Sequence, residues 1–226
     1  MERSSAQVAT TEVFSNRLEG VFELGSRLAL SDSKIHDNTR NGVLLEHALA
    51  DILRSEVRRN GIHGIHGHSN SSVTATKTTV AEHPDDGVRL ANSAGDFLDC
   101  EILTSGGHGI AGTVSTIVLA ATRVAGNARR GVDLVNSTAD LTGAEVIENR
   151  EEGLYAVDST ASLVDCLVAD HPKDGVVLQN AAAGFEDTTI ERNGGVGLRA
   201  SHSVASSEGG AIRANASHGI LLHKAS

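Results

Sequence analysis

Large rings are almost missing from this chain: 226 residues include one Tyr, four Phe and no Trp. An ordinary globular core of that size draws on more of them, so stacked Val, Ile, Leu and Ala must fill the interior. Proline (two) and methionine (one) are equally scarce. The two cysteines, Cys100 and Cys166, each stand nine positions before a recurring glycine and three repeats apart. At about 4.8 Å per stacked strand their Cα atoms are about 14 Å apart, beyond disulfide reach, and they read as small buried fillers. No apolar run approaches the length of a bilayer span. Met1-Glu2-Arg3-Ser4-Ser5 has no apolar signal core, and the compartment stays open. A basic stripe is also lacking: 19 Lys and Arg face 29 Asp and Glu, a net charge of −10. That argues against a nucleic-acid partner, whose phosphate backbone needs a basic surface.

What the chain has is repetition. Gly20, Gly42, Gly64, Gly87, Gly109, Gly131, Gly153, Gly175, Gly197 and Gly219 recur every 22 residues, with one extra residue between Gly64 and Gly87. An aliphatic residue follows each glycine, from Val21 to Ile220, and Val or Ile stands seven positions before each, from Val13 to Ile212. A fixed period of this length marks one turn of a solenoid. The repeat begins near residue 6 and runs to Leu222, so residues 1–226 read as a single domain.

One coil shows how the chain folds. In Ala161–Leu178, apolar residues fall on every second position of three short stretches: Ala161 and Leu163, Cys166 and Val168, Val176 and Leu178. That alternation predicts three strands, each with one buried face. A polar turn separates the second from the third, with Asn in seven coils (Asn16, Asn38, Asn60, Asn127, Asn149, Asn193, Asn215) and His83, Ser105 or His171 in the others. This column predicts a ladder of turn residues, Asn tolerating left-handed angles. The glycine is expected to supply a backbone shape that side chains resist. Outward columns test the alignment: Glu12, Lys34 and Glu56, then Glu101, Arg123 and Glu145, alternate in charge, as do Asp37, Arg59 and Glu82. In-register parallel stacking sets such opposite charges side by side.

Three strands per coil and the phrase Asn-x-x-x-Gly-Val-x-Leu resemble the right-handed parallel β-helix repeat family, with its pectin-lyase-like fold. The resemblance covers essentially the whole chain. It implies an all-β, single-stranded right-handed parallel β-helix of about ten coils with three short parallel strands each, a rod about 45–50 Å long. Handedness comes from the resemblance alone. The fold hosts pectate lyases, polygalacturonases, alginate epimerases and many non-enzymatic proteins, so it does not assign an activity.

Candidate chemistry gathers where the repeat is interrupted. Gly61-Ile62-His63-Gly64-Ile65-His66-Gly67-His68 carries three histidines just before the inserted residue. Asp85 and Asp86 precede the next glycine, Arg89 follows it, and His108 precedes the one after. The position before the glycine therefore stacks His63, Asp86 and His108, while His66 lies beside Arg89. This stack is a candidate for proton transfer or for a divalent metal, with His63, Asp86, Arg89 and His108 as catalytic candidates, and His63, Asp86 and His108 as metal candidates. His66, His68 and Asp85 are binding candidates. Elsewhere the same column holds Glu19, Asn41, Arg130, Glu152, Asp174, Val196 and His218, which reads as solvated turn residues.

Resemblance to polygalacturonases would make Asp86 a general acid and His108 of Gly107-His108-Gly109 an accessory residue. The family's Asn-Thr-Asp is replaced by Ile62-His63-Gly64, and its Arg-Ile-Lys by Leu141-Thr142-Gly143. Without a second carboxylate to activate water the inverting mechanism is incomplete. Calcium-dependent lyases need clustered acids and a basic proton acceptor. The column of Asp32, Asp99, Asp165 and Asp187 offers one adjacent pair, Asp165 and Asp187, which reads as turn residues. Tyr155 and Phe22 are the aromatic platforms on offer to a saccharide.

The leading expectation is a non-catalytic β-helical scaffold or protein-interaction module, a segment or subunit of a larger assembly, without cofactor. Protein partners or end-to-end β-helix contacts would cover its first and last coils, because solenoids require caps. Phe22, Leu44, Val177 and Leu221, outward apolar residues near the ends, fit that expectation. The alternative is a carbohydrate-active protein (lyase, hydrolase, epimerase or saccharide binder), with Ca or Zn as the alternative cofactor and polysaccharide as the alternative partner.

Overall fold

Each coil gives one strand to each of three parallel sheets. The computed structural model describes residues 4–224. The first coil supplies β1 (Ser5–Ala9), β2 (Glu12–Phe14) and β3 (Val21–Leu24). Nine further coils repeat them, making three ten-stranded sheets in which each strand pairs with its counterpart one coil away. The file of Val13, Ile35 and Val57 is in register on the second sheet. No helix occurs among the described residues, and none is present that could cross a membrane.

The apolar alternation is what closes the coil. Leu28, Ile35 and Val43 of one coil and Ala161, Leu163, Val168, Val176 and Leu178 of another all point inward and are buried. A single core runs along the rod axis from Leu28 to Ala200. Phe97, the more deeply buried of the two core Phe rings, fits because Gly95 stands beside it: a Cβ there would lie 2.7 Å from its ring. Glu23 breaks the pattern, taking the inward place that Leu45 fills one coil later, and its carboxylate accepts the Ser26 hydroxyl.

Three corners join the sheets, and each carries a ladder of side chains that caps the backbone of the coil below. Between the third and first sheets the N–H groups of Ser71, Ser93 and Ser115 donate to the hydroxyls of Ser93, Ser115 and Ser137. Between the first and second, Ser33 N–H donates to Ser55 Oγ and Cys100 N–H to Thr122 Oγ1. Between the second and third stands the asparagine ladder: Asn38 N–H and its Nδ2 both donate to Asn60 Oδ1. These bonds matter because a turn that bends away from the sheets leaves N–H groups that burial would orphan.

Two turn expectations need correction. The left-handed residue is the one before the asparagine column, such as Asp37 (φ 53°), Arg59 (φ 47°) and Glu82 (φ 61°), and not the asparagine itself. The repeated glycines do not occupy the left-handed region either. All but Gly219 are required by space: a Cβ on Gly20 would lie 2.5 Å from Ile35 Cγ2, 2.7 Å from Asn38 Nδ2 and 2.7 Å from the Gly42 carbonyl. The next coil sits too close for any side chain.

The inserted residue falls at the corner between Ile65–His68 and Ser72–Thr76. Ser69 (φ 58°) and Asn70 (φ 64°) both turn left-handed there, and Ser72 then pairs with Leu49. The extra length is absorbed at the corner, so the columns on either side stay aligned.

Outward charge columns pair as the alignment requires. Lys34 Nζ lies 3.6 Å from Glu12, Arg59 Nε 2.9 Å from Asp37, and Arg192 Nη2 2.8 Å from Asp170. Exposed pairs of this kind contribute little to stability, but they report the register.

Candidate functional site

The position before each glycine lies at the seam between the asparagine corner and the third sheet. This seam is not the run of solvated turn residues that its composition suggests. Asp86 is 1 % exposed, His63 7 % and His108 9 %; Asp174 and Val196 are buried as well. The tight coil-to-coil approach at the adjacent glycine draws these side chains against the neighbouring coils.

Asp86 is the centre of the arrangement. Its Oδ1 accepts the His108 backbone N–H at 2.8 Å, and its Oδ2 accepts Arg89 Nη1 at 3.0 Å. On the other side, Asp86 N–H donates to His63 Nδ1 at 3.2 Å. His63 Nδ1 also lies 3.9 Å from Asp86 Oδ2 and 4.0 Å from Asp85 Oδ2. Asp85 and Asp86 are chain neighbours with opposite fates, Asp85 exposed and Asp86 enclosed. His108 and His63 flank Asp86 from opposite coils. Among the described residues, the set whose ligand atoms come within 4.8 Å of one another is His63, Asp85 and Asp86. His108 is not in that set, and its Nδ1 is buried without a hydrogen-bond partner.

The histidine strand supplies the rest. His66 and His68 point outward from Ile65–His68 by strand alternation, and His66 is in register with Arg89. The His63 and His66 rings meet edge-on with centroids 5.1 Å apart, and those of His66 and His68 are 5.3 Å apart. Nδ1 of His68 lies 2.9 Å from Ser69 Oγ. Together with Glu19, Arg40, Asn41, Leu44 and Ile62 the three rings line an open groove of about 350 Å³.

Burial first, then the neighbouring imidazole of His63, hold the His66 pKa down at about 4. Burial also lowers those of His63 and His108, against the pull of the nearby carboxylates. These rings are therefore neutral near pH 7 and able to accept a proton.

A second cluster on the same face involves residues that the repeat pattern does not single out. Arg130 Nη1 lies 2.6 Å from Asp133, its Nε 3.0 Å from Glu152, and its guanidinium carbon 3.5 Å above the Tyr155 ring. Tyr155, a possible saccharide platform from sequence, is already covered by a cation. One coil further, Asp174 accepts Val196 N–H and Arg199 Nε, both at 2.6 Å, much as Asp86 accepts His108 N–H and Arg89. The signal was present: an acid before the glycine with an arginine at i+3 or i+25, and Arg130 beside Glu152 one period on. Asp165 (φ 54°) and Asp187 (φ 46°) occupy left-handed corner positions, which accounts for them.

A family model described as "Right handed beta helix region" matches residues 17–168. No curated protein matches the chain in sequence. Among solved structures, a double mutant of the periplasmic alginate epimerase AlgG superposes with a TM-score of 0.74 at 14% identity, over 88% of this chain and 51% of that one. The unmutated AlgG gives 0.64 at 13% identity, over 88% and 61%. The enzymatically active domain of the bacteriophage CBA120 tailspike protein 2 gives 0.69 at 12% identity, over 96% and 41%. The chain thus spans about half the length of these proteins, and at such identities the likeness is one of fold.

Proposed function

The chain belongs to the right-handed β-helix family, and from that premise we propose that it is a carbohydrate-active protein whose third sheet binds an acidic polysaccharide. The observation that carries this reading is the enclosed Asp86 carboxylate, held by Arg89 and the His108 N–H beside imidazoles that stay neutral. In this reading Arg89, half-exposed and in register with His66, meets a sugar carboxylate. His66, neutral and facing the groove, accepts a proton from the sugar. Asp86 is a positioning residue that orients Arg89. The similar fold of an alginate epimerase supports a saccharide over other ligand classes.

Incubation with uronate and pectin-like polymers, with and without calcium, tests the proposal. It expects binding, or bond cleavage or epimerisation, that is lost in His66→Ala and in Arg89→Ala while the fold persists. Retention of polymer by neither the native chain nor a calcium-loaded sample would sink it.

A second reading, a scaffold joined through its outermost coils, is favoured by one observation. Phe14, Leu18, Phe22 and Leu24 of the first described coil and Ile220 and Leu222 of the last are exposed, apolar surface that a partner or a further β-helical segment would cover. This reading expects concentration-dependent association in size-exclusion chromatography. A dilution-resistant monomer would contradict it.

A further inference from the structure

We propose that His63, Asp85 and Asp86 form a binding site for a divalent transition cation of the Zn²⁺ or Co²⁺ type, with His66 as the adjoining imidazole. The site shares Asp86, His66 and Arg89 with the saccharide reading but does not rest on it, since its test contains no saccharide.

Two coils and two corner positions converge on one point. Three donor atoms separated by 3.9 Å, 4.0 Å and no more than 4.8 Å share a centre no more than about 2.5 Å from each, at most a few tenths of an ångström outside the range of about 2.0–2.2 Å for zinc–nitrogen and zinc–oxygen bonds. Asp85 is exposed and free to close the gap, whereas Asp86 and His63 are held by their coils. A mixed set of one or two imidazoles and two carboxylates suits a borderline cation; calcium prefers oxygen throughout. The edge-on His66 ring, 5.1 Å from His63 between centroids, adjoins this set without belonging to it.

Loading requires two exchanges. The cation replaces Arg89 on Asp86 Oδ2, now 3.0 Å away, and replaces the Asp86 N–H on His63 Nδ1. Both displaced contacts weaken affinity, so binding in the micromolar range is expected. Arg89 is thus a competitor for the site, and its removal must tighten metal binding. A purely structural ion pair has no such consequence.

The test is calorimetric titration of the tag-free chain with ZnCl₂, together with the visible absorption of CoCl₂ added to the same protein. One site is expected. Asp85→Asn, at an exposed side chain that the fold does not need, should weaken it by roughly tenfold or more, and Arg89→Ala should tighten it several-fold. No uptake at millimolar metal overturns the proposal. So does binding that Asp85→Asn leaves unchanged, or that Arg89→Ala weakens. Loss only in a His66→Ala, His68→Ala double variant overturns it too, since the metal would then sit on the exposed strand pair.

Discussion

His83 stands in the asparagine ladder as an asparagine would, its Nε2 3.0 Å from the Val57 carbonyl and its Nδ1 accepting Asn60 N–H at 3.2 Å. Asn60 makes the same two contacts one coil earlier, through Nδ2 to the Ile35 carbonyl and Oδ1 from Asn38 N–H. His171 repeats the substitution beneath Asn149 and Val146. The geometry fixes one neutral tautomer, with the proton on Nε2.

That tautomer makes the rod acid-sensitive. A proton on Nδ1 would face the Asn60 N–H, and burial holds the His83 pKa at about 4. The His171 pKa is lowered for the same reason. The unfolded chain takes up these protons first, so the stability is complete above about pH 6.5 and is lost as pH falls toward 4, on the order of 3 kcal/mol for His83. His83→Asn and His171→Asn should leave the melting temperature at pH 7.5 nearly unchanged and raise it at pH 4.5. An identical acid-induced fall in the double variant would refute this account.

Glycines of two kinds should respond in opposite ways. Gly109→Ala would bring a Cβ within 2.3 Å of Val124 Cγ1 and 2.8 Å of the Gly131 carbonyl, and overpacking costs roughly 1–3 kcal/mol or more. Gly25, at φ 64°, has nothing within 4 Å of its missing Cβ. Gly25→Asn should therefore cost little, because Asn tolerates that torsion. Urea unfolding of both variants compares them directly.

Arg130 holds three groups, Asp133, Glu152 and the Tyr155 face. Arg130→Lys keeps the charge but loses the planar fork and the stacking. The variant should be less stable by about 1–2 kcal/mol, with Tyr155 fluorescence altered. Melting and fluorescence identical to the native chain would show that the cluster is incidental.

Both thiols should be inert in the folded chain. Cys100 and Cys166 are unpaired and buried, and burial pushes both pKa values up. Each lies in the hydroxyl ladder, its N–H donating to Thr122 or Thr188 Oγ1. Thiol titration should count none in buffer and both in denaturant, and Cys100→Thr should fold normally. Fast labelling of the native chain would contradict the buried placement.

The 22-residue period by itself determined most of this molecule. Once Val13, Ile35 and Val57 repeat in phase, every residue acquires a neighbour one period away. The three sheets, the asparagine column, the Arg59–Asp37 pair and the juxtaposition of His66 with Arg89 then follow, because parallel in-register pairing converts sequence distance directly into spatial distance. What the period leaves open is direction and depth. Only the folded corner, with its left-handed residue at Glu82, leaves Asp86 enclosed and Asp85 out in solvent. Only the packed coils revealed that the glycines answer to a crowded carbonyl, that Arg130 covers Tyr155, and that Asp85 comes nearer than His108 to a common centre with His63 and Asp86. Those outcomes depend on side-chain torsions and on the space left by the next coil, which a one-dimensional repeat does not contain.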